Sequence, residues 1–110
     1  MRYHFRVLID YEKDVFREIA LRSDQSFMDL SNTIIKAFEF KGDQMASFYM
    51  SNDDWDKGEE IVQFDMGEDE AVRSMENTTL SDLLSNKNQK VLYVYDFLRF
   101  WIFYIELIKI

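Results

Sequence analysis

His4 is the chain's single histidine, so any serine–histidine dyad or histidine-based metal site would have to be built around it. It stands inside the alternating stretch Tyr3–Ile9, where no neighbour supplies a nucleophile or a second ligand. A general acid or base also needs a pocket and a perturbed pKa, so His4 reads as an ordinary strand residue. Asp53, Asp54, Asp56, Glu59 and Glu60 crowd around Trp55 and would suit a hard cation such as calcium. Their spacing argues against a calcium loop. With Gly58 at the sixth position, Trp55 and Lys57 fall at the third and fifth, where oxygen ligands are required. A solvated acidic loop is the simpler reading.

Other chemistries fail on composition. Gly42, Gly58 and Gly67 lie far apart and open neither a dinucleotide fingerprint nor a phosphate loop, so no nucleotide cofactor is implied. The absence of cysteine removes disulfides, thiolate metal sites and a thiol nucleophile. The aromatic stripe Tyr93, Tyr95, Phe100, Trp101, Phe103 and Tyr104 could stack bases. Base-stacking sheets, however, interleave aromatics with cations, and here only Arg99 and Lys109 stand close. Core packing is the better use of the stripe. Asp96 sits at the head of a turn between Tyr95 and Phe97, where its carboxylate can accept amides two residues on. The competing role is a ligand contact shared with Tyr95, Trp101 and Trp55. These four are the candidate binding or turn residues. No catalytic residue, metal ligand or cofactor is assigned, and a non-enzymatic role follows.

The elements that would position them are legible in outline. Lys90–Ile110 carries more apolar surface than any other stretch and reads as two long strands folded back at Asp96–Arg99. Phe100, Ile102, Tyr104, Ile108 and Ile110 occupy one face of the last strand, and Trp101, Phe103, Ile105 and Leu107 the other. A strand apolar on both faces is central and covered twice, or part of it is an interface. Tyr3, Phe5, Val7 and Ile9 alternate with His4, Arg6 and Leu8 to give a first strand, and Val15–Leu21 gives a second, paired with it as an antiparallel hairpin. The polar segment 10–14 is the turn between them. Ser26 caps a helix over Phe27–Phe38 whose apolar positions recur at three and four. Gly42 lets the chain leave that helix. Ala46–Ser51 is a third strand, 60–65 a short one, and 67–77 an aperiodic acidic loop. Thr79, with Asp82 three residues on, caps a short helix before the final hairpin.

A chain of 110 residues forms one domain, here spanning 1–110, and can bury a core without staples. Apolar content of 47% argues for a compact chain despite the net charge of -8. That charge, from 21 acidic and 13 scattered basic residues, opposes a phosphate backbone, so nucleic acid is an unfavoured partner. The longest apolar run, Phe100–Ile105, is too short to span a bilayer, and MRYHFRVLID lacks the apolar region of a signal peptide. A soluble, cytoplasmic protein is expected.

Tyr95-Asp96-Phe97, followed by Trp101, Ile105 and Leu107 at alternate positions, resembles the YDFGDxWxHxIxLE signature of the plasmid pRiA4b ORF-3-like proteins. Upstream, Val15-Phe16-Arg17 with Ile19 resembles the family's IWRxI strand. Phe27, Asp29-Leu30, Ile34 and Ala37-Phe38 resemble its TLxDLHxxIxxAFGW helix, and Met45 and Phe48 its HLxxF segment. This chain departs from the signature with Leu98-Arg99 at the Gly-Asp turn, Phe103 and Gln44 at two histidine positions, and Ile108 at the closing glutamate. The resemblance implies an α+β domain with no established activity. Its mixed or antiparallel sheet would be crossed by one main helix in ubiquitin-like, β-grasp style, with a short second helix before the C-terminal hairpin. The function expected is a protein-interaction module with a protein partner or a second copy of itself. The alternative, from the plasmid association, is a nucleic-acid-associated protein of a mobile element.

Overall fold

A computed structural model describes residues 1–10, 15–64 and 72–110. The expected turn over 11–14, the end of the expected strand over 60–65 and the start of the loop over 67–77 lie outside these residues. The elements are β1 (Arg2–Ile9), β2 (Phe16–Arg22), α1 (Phe27–Ala37), β3 (Ala46–Ser51), β4 (Glu60–Val62), β5 (Arg73–Ser74), α2 (Leu80–Leu83), β6 (Lys90–Tyr95) and β7 (Trp101–Lys109).

Alternation along β7 decides the layering. Phe103, Ile105 and Leu107 are buried on one face, where Phe103 stands between Tyr93 and Ile9, Ile105 between Val91 and Val7, and Leu107 beside Phe5. Each of these side chains gains roughly 1.5–3 kcal/mol from leaving water. α1 closes this face. It starts where the Asp29 amide donates to Ser26 Oγ at 3.1 Å and the Ser26 amide donates to Asp29 Oδ2 at 3.1 Å, a reciprocal cap. Phe27, Leu30 and Ile34 then project into the core at three- and four-residue spacing, with Phe27 edge-on to Phe48 at 5.3 Å. Ser31, one residue beyond Leu30, is also buried and meets Tyr93, hydroxyl to hydroxyl, at 2.6 Å. α2 repeats the capping pattern, the Thr79 amide donating to Asp82 Oδ2 at 2.9 Å, and seals the core's end with Leu80 and Leu84. Tyr3 donates its hydroxyl to the Leu84 carbonyl at 2.6 Å.

The β-grasp expectation is overturned. Among the described residues the sheet has seven strands in the order β2-β1-β7-β6-β3-β4-β5, all antiparallel except β4 with β5, and the helices have only 11 and 4 residues. β7 is bonded along both edges, to β1 and to β6, so the N-terminal hairpin and β3 widen the sheet on opposite sides. Seven strands at about 4.8 Å spacing set the outer pair about 29 Å apart. An eleven-residue helix is about 16 Å long and does not reach across. Residues 73–74, expected in a loop, form β5 beside β4.

On the opposite face Leu92 and Val94 are buried, while Ile102, Tyr104, Glu106 and Ile108 are half-buried. The expected shielding of β7 is thus complete on the helix face from Phe103 to Leu107 and partial at its ends and on the other face.

Candidate functional site

The β6–β7 connection is held by one residue. Asp96 takes φ +62°, a region that few residues other than Gly, Asn and Asp tolerate, and it is 6% exposed. Its amide donates to the Met45 carbonyl at 2.9 Å, and its carbonyl accepts from the amides of Arg99 at 3.1 Å and Phe100 at 2.7 Å. Its Oδ1 accepts from the Leu98 amide at 3.1 Å. Side chain and backbone of Asp96 thus both bond within the turn. Arg99 approaches Oδ2 only at 3.8 Å with its guanidinium in water, so that ion pair adds little.

Beside this turn lies a cleft of roughly 450 Å³ between the segment that follows α1 and the hairpin. Its apolar lining is Phe40, Tyr95 and Trp101; Phe40 stacks on Tyr95 at 5.3 Å and meets Trp101 at 5.5 Å. Glu39, Lys41, Asp43, Gln44 and Arg99 supply charge of both signs and an amide. The Tyr95 hydroxyl accepts from the Gly42 amide at 3.0 Å and is 3.4 Å from Asp43 Oδ1. Gly42 itself has φ +76°, which a side chain would strain. Leu98, in the lining, is 94% exposed; Phe97 and Phe100 of the same turn are 39% and 54% exposed, and Met45, whose carbonyl accepts the Asp96 amide, is 56% exposed.

The structure thus brings together Tyr95, Asp96 and Trp101, and it separates Trp55. Trp55 lies edge-on to Tyr104 at 5.0 Å, and Tyr104 is on the face of β7 opposite Trp101 and Phe103. Phe40 was not visible as a site residue. Helix α1 ends at Ala37, and Glu39 at φ +61° turns the chain so that Phe40 folds back over the sheet. The only hint in sequence was a second phenylalanine two residues after Phe38.

The lining holds no serine, threonine, cysteine or histidine. His4 is remote, paired with Ala20 and Lys109 on β1. The acidic loop is spread over separate partners. Asp53 pairs with Lys90 at 2.9 Å, Asp56 accepts from Asn52 at 3.1 Å, Glu59 pairs with Arg73 at 3.0 Å, and Glu60 accepts from Tyr49 at 3.2 Å. Burial, with Glu60 adding to it, raises the pKa of Tyr49. Among the described residues no group of three or more histidines, cysteines or carboxylates could hold a metal ion. No helix among them is long and apolar enough to cross a membrane.

Three departures from the family signature converge here: Gln44, Leu98 and Arg99 all line the cleft, and Phe103 lies behind it, edge-on to Phe40 at 5.7 Å. The crystal structure of a protein of unknown function from Methanosarcina mazei is similar, with a TM-score of 0.79 at 25% identity. The match covers 98% of this chain and 59% of that one, so this chain spans less than two thirds of its neighbour's length. No curated protein matches. The family model for plasmid pRiA4b ORF-3-like proteins matches residues 2–110, and with the fold and hairpin described above the chain belongs to that family.

Proposed function

We propose that this chain is a non-enzymatic protein-interaction domain that binds an apolar side chain of another polypeptide at the tip of the β6–β7 hairpin and in the cleft beside it. The observation that carries this reading is the aromatic-lined cleft with charges of both signs in its lining, beside a turn that leaves Leu98, Phe97 and Phe100 exposed. Apolar anchors of this kind provide most of the energy of small interfaces, and a mixed-charge rim fixes orientation. The cysteine-free composition suits a reducing cytoplasm.

The test is selection of displayed peptides on the wild-type chain with counter-selection on Leu98→Asp. Peptides should share an apolar anchor and lose about tenfold or more in affinity, about 1.4 kcal/mol, on the variant. Peptides that bind both forms equally would refute the site. Retention on DNA or RNA that falls steeply with salt would favour the nucleic-acid reading instead, which the net charge of -8 opposes.

A further inference from the structure

The two edges of the sheet are unlike. β5 is two residues long and offers almost no ladder, the usual way of blunting an edge. β2 is seven residues long, pairs with β1 in unbroken register, and contains neither proline, glycine nor lysine.

Its backbone can be assigned group by group. The Ser23 amide donates to the Met1 carbonyl at 2.8 Å, which makes that pair a hydrogen-bonded rung. Rungs of this kind alternate in an antiparallel ladder. Arg17, Ile19 and Leu21 therefore bond to β1, and Phe16, Glu18, Ala20 and Arg22 turn their amides and carbonyls outward. Two local bonds agree: the Arg22 amide donates to Gln25 Oε1 at 2.8 Å, and the Phe16 carbonyl accepts from Arg17 at 2.9 Å. The Arg22 carbonyl accepts from the Gln25 amide at 3.0 Å. The open segment is bounded at both ends and centred on Ile19, with the outward groups of Glu18 and Ala20 at its middle.

We infer that β2 pairs with β2 of a second copy of this chain, antiparallel about Ile19, joining two sheets into one. In this register Glu18 lies opposite Ala20 of the second copy in both directions, and the outward amides and carbonyls of each satisfy the other. Ile19 meets its own counterpart. Arg22 of the second copy falls opposite Phe16, which is 47% exposed, and diagonal to Glu18 on the same face. The present partners of these charges, Arg6 for Glu18 and Asp24 for Arg22, form exposed pairs that are readily shared. Opposite charges two positions from Ala20 make the edge complementary to itself. One strand pair buries less than the ~1,200 Å² of a stable interface, so the association is weak and concentration-dependent.

Light scattering should show the mass rising from 13.3 kDa towards twice that value as concentration approaches ~1 mM. Ala20→Pro removes an amide that no bond among the described residues uses, and it should leave a folded monomer. In the wild type, amide exchange at Glu18 and Ala20 should slow about tenfold or more between ~10 µM and ~1 mM, with Ile19 and Leu21 unchanged. This readout stands even if the proline variant fails to fold. A strict monomer at ~1 mM, or exchange at Glu18 and Ala20 independent of concentration, would overturn the inference. So would a dimer that survives Ala20→Pro but is lost in Leu98→Asp, which would place self-association at the hairpin tip.

Discussion

The contact between Ser31 and Tyr93 joins α1 to the centre of the sheet, and its removal has a calculable cost. Both residues are buried, at 2% and 0% exposure, and their hydroxyls are 2.6 Å apart. Ser31→Ala strands the Tyr93 hydroxyl in the core, which costs about 1–3 kcal/mol. Tyr93→Phe should cost less, about 1 kcal/mol, because a helical serine can turn its hydroxyl to the carbonyl one turn back. Replacing both removes the whole pair and should cost less than the two singles combined, with a coupling of about 1 kcal/mol or more. The pH dependence supplies a second arm. Burial pushes the Tyr93 pKa up to about 12 against the pull of Ser31, from an ordinary value of 10.0. Below pH 10 the phenol is neutral folded and unfolded, and its protonation adds no slope. Between 10 and 12 the unfolded chain loses the proton and the native chain keeps it, so stability falls as pH rises. The loss is about 1 kcal/mol by pH 11 and about 3 kcal/mol once the folded pKa is passed. Tyr93→Phe lacks this loss, so the two stabilities should meet near pH 11. Urea denaturation followed by circular dichroism at pH 7, 10 and 11 reads both arms. Additive single costs, or a wild-type advantage constant from pH 7 to 11, would refute the reasoning.

Asp96→Ala should lower stability by about 1–2 kcal/mol, from the lost cap and a positive φ that alanine tolerates poorly; Asp96→Asn should lose less in the same melting experiment, since it keeps both properties. Gly58→Ala should cost about 1–3 kcal/mol in urea, because its Cβ would stand 2.6 Å from the Met50 carbonyl oxygen, which also accepts the Gly58 amide at 2.7 Å. Ser26→Ala should remove about 1 kcal/mol, and thermal unfolding unchanged by it would show that the cap of α1 is dispensable.

What could be anticipated from the sequence follows the reach of each signal. Alternation over eight and seven residues marks β1 and β2, and a serine three residues before Asp29 marks the start of α1. β4 falls inside the short strand expected over 60–65, whereas β5, of two residues, is too short to show a period and exists because β4 offers an edge. Tyr95, Asp96 and Trp101 could be grouped because a strand, its turn and the returning strand are neighbours in sequence. Trp55 could not be placed, since its side of the sheet is fixed by φ +59° at its own backbone and by Asn52, whose Oδ1 takes the amides of Asp54 and Asp56 at 2.9 and 3.1 Å. Ser31 was invisible for another reason: a lone serine on an apolar helix face acquires meaning only when a hydroxyl 62 residues later lies opposite. The grasp-like sheet failed because the count of strands depends on which edges remain unpaired, and that is a property of the assembled sheet.

The cleft walls are tied to each other before any ligand arrives. Tyr95 grips Gly42, the Asp96 amide holds the Met45 carbonyl, and Phe40 stacks on Tyr95 and touches Trp101 at a tilt. The segment after α1 and the hairpin therefore cannot separate without breaking these hydrogen bonds. Left-handed residues at Glu39, Asp96 and Phe100 concentrate backbone strain at this end of the sheet, and those ties hold it in place. On the binding role proposed above, docking would need little reorganisation, and affinity would follow how well an apolar group packs against Phe40 and Trp101 rather than the cost of ordering a loop. Cutting one tie tests this: Tyr95→Phe keeps the ring and loses the hold on Gly42. It should weaken binding of peptides selected on the wild type chiefly through slower association, because a loosened wall must re-form before docking. An unchanged association rate would mean that Phe40 and Trp101 keep the cleft open without help from the tyrosine hydroxyl.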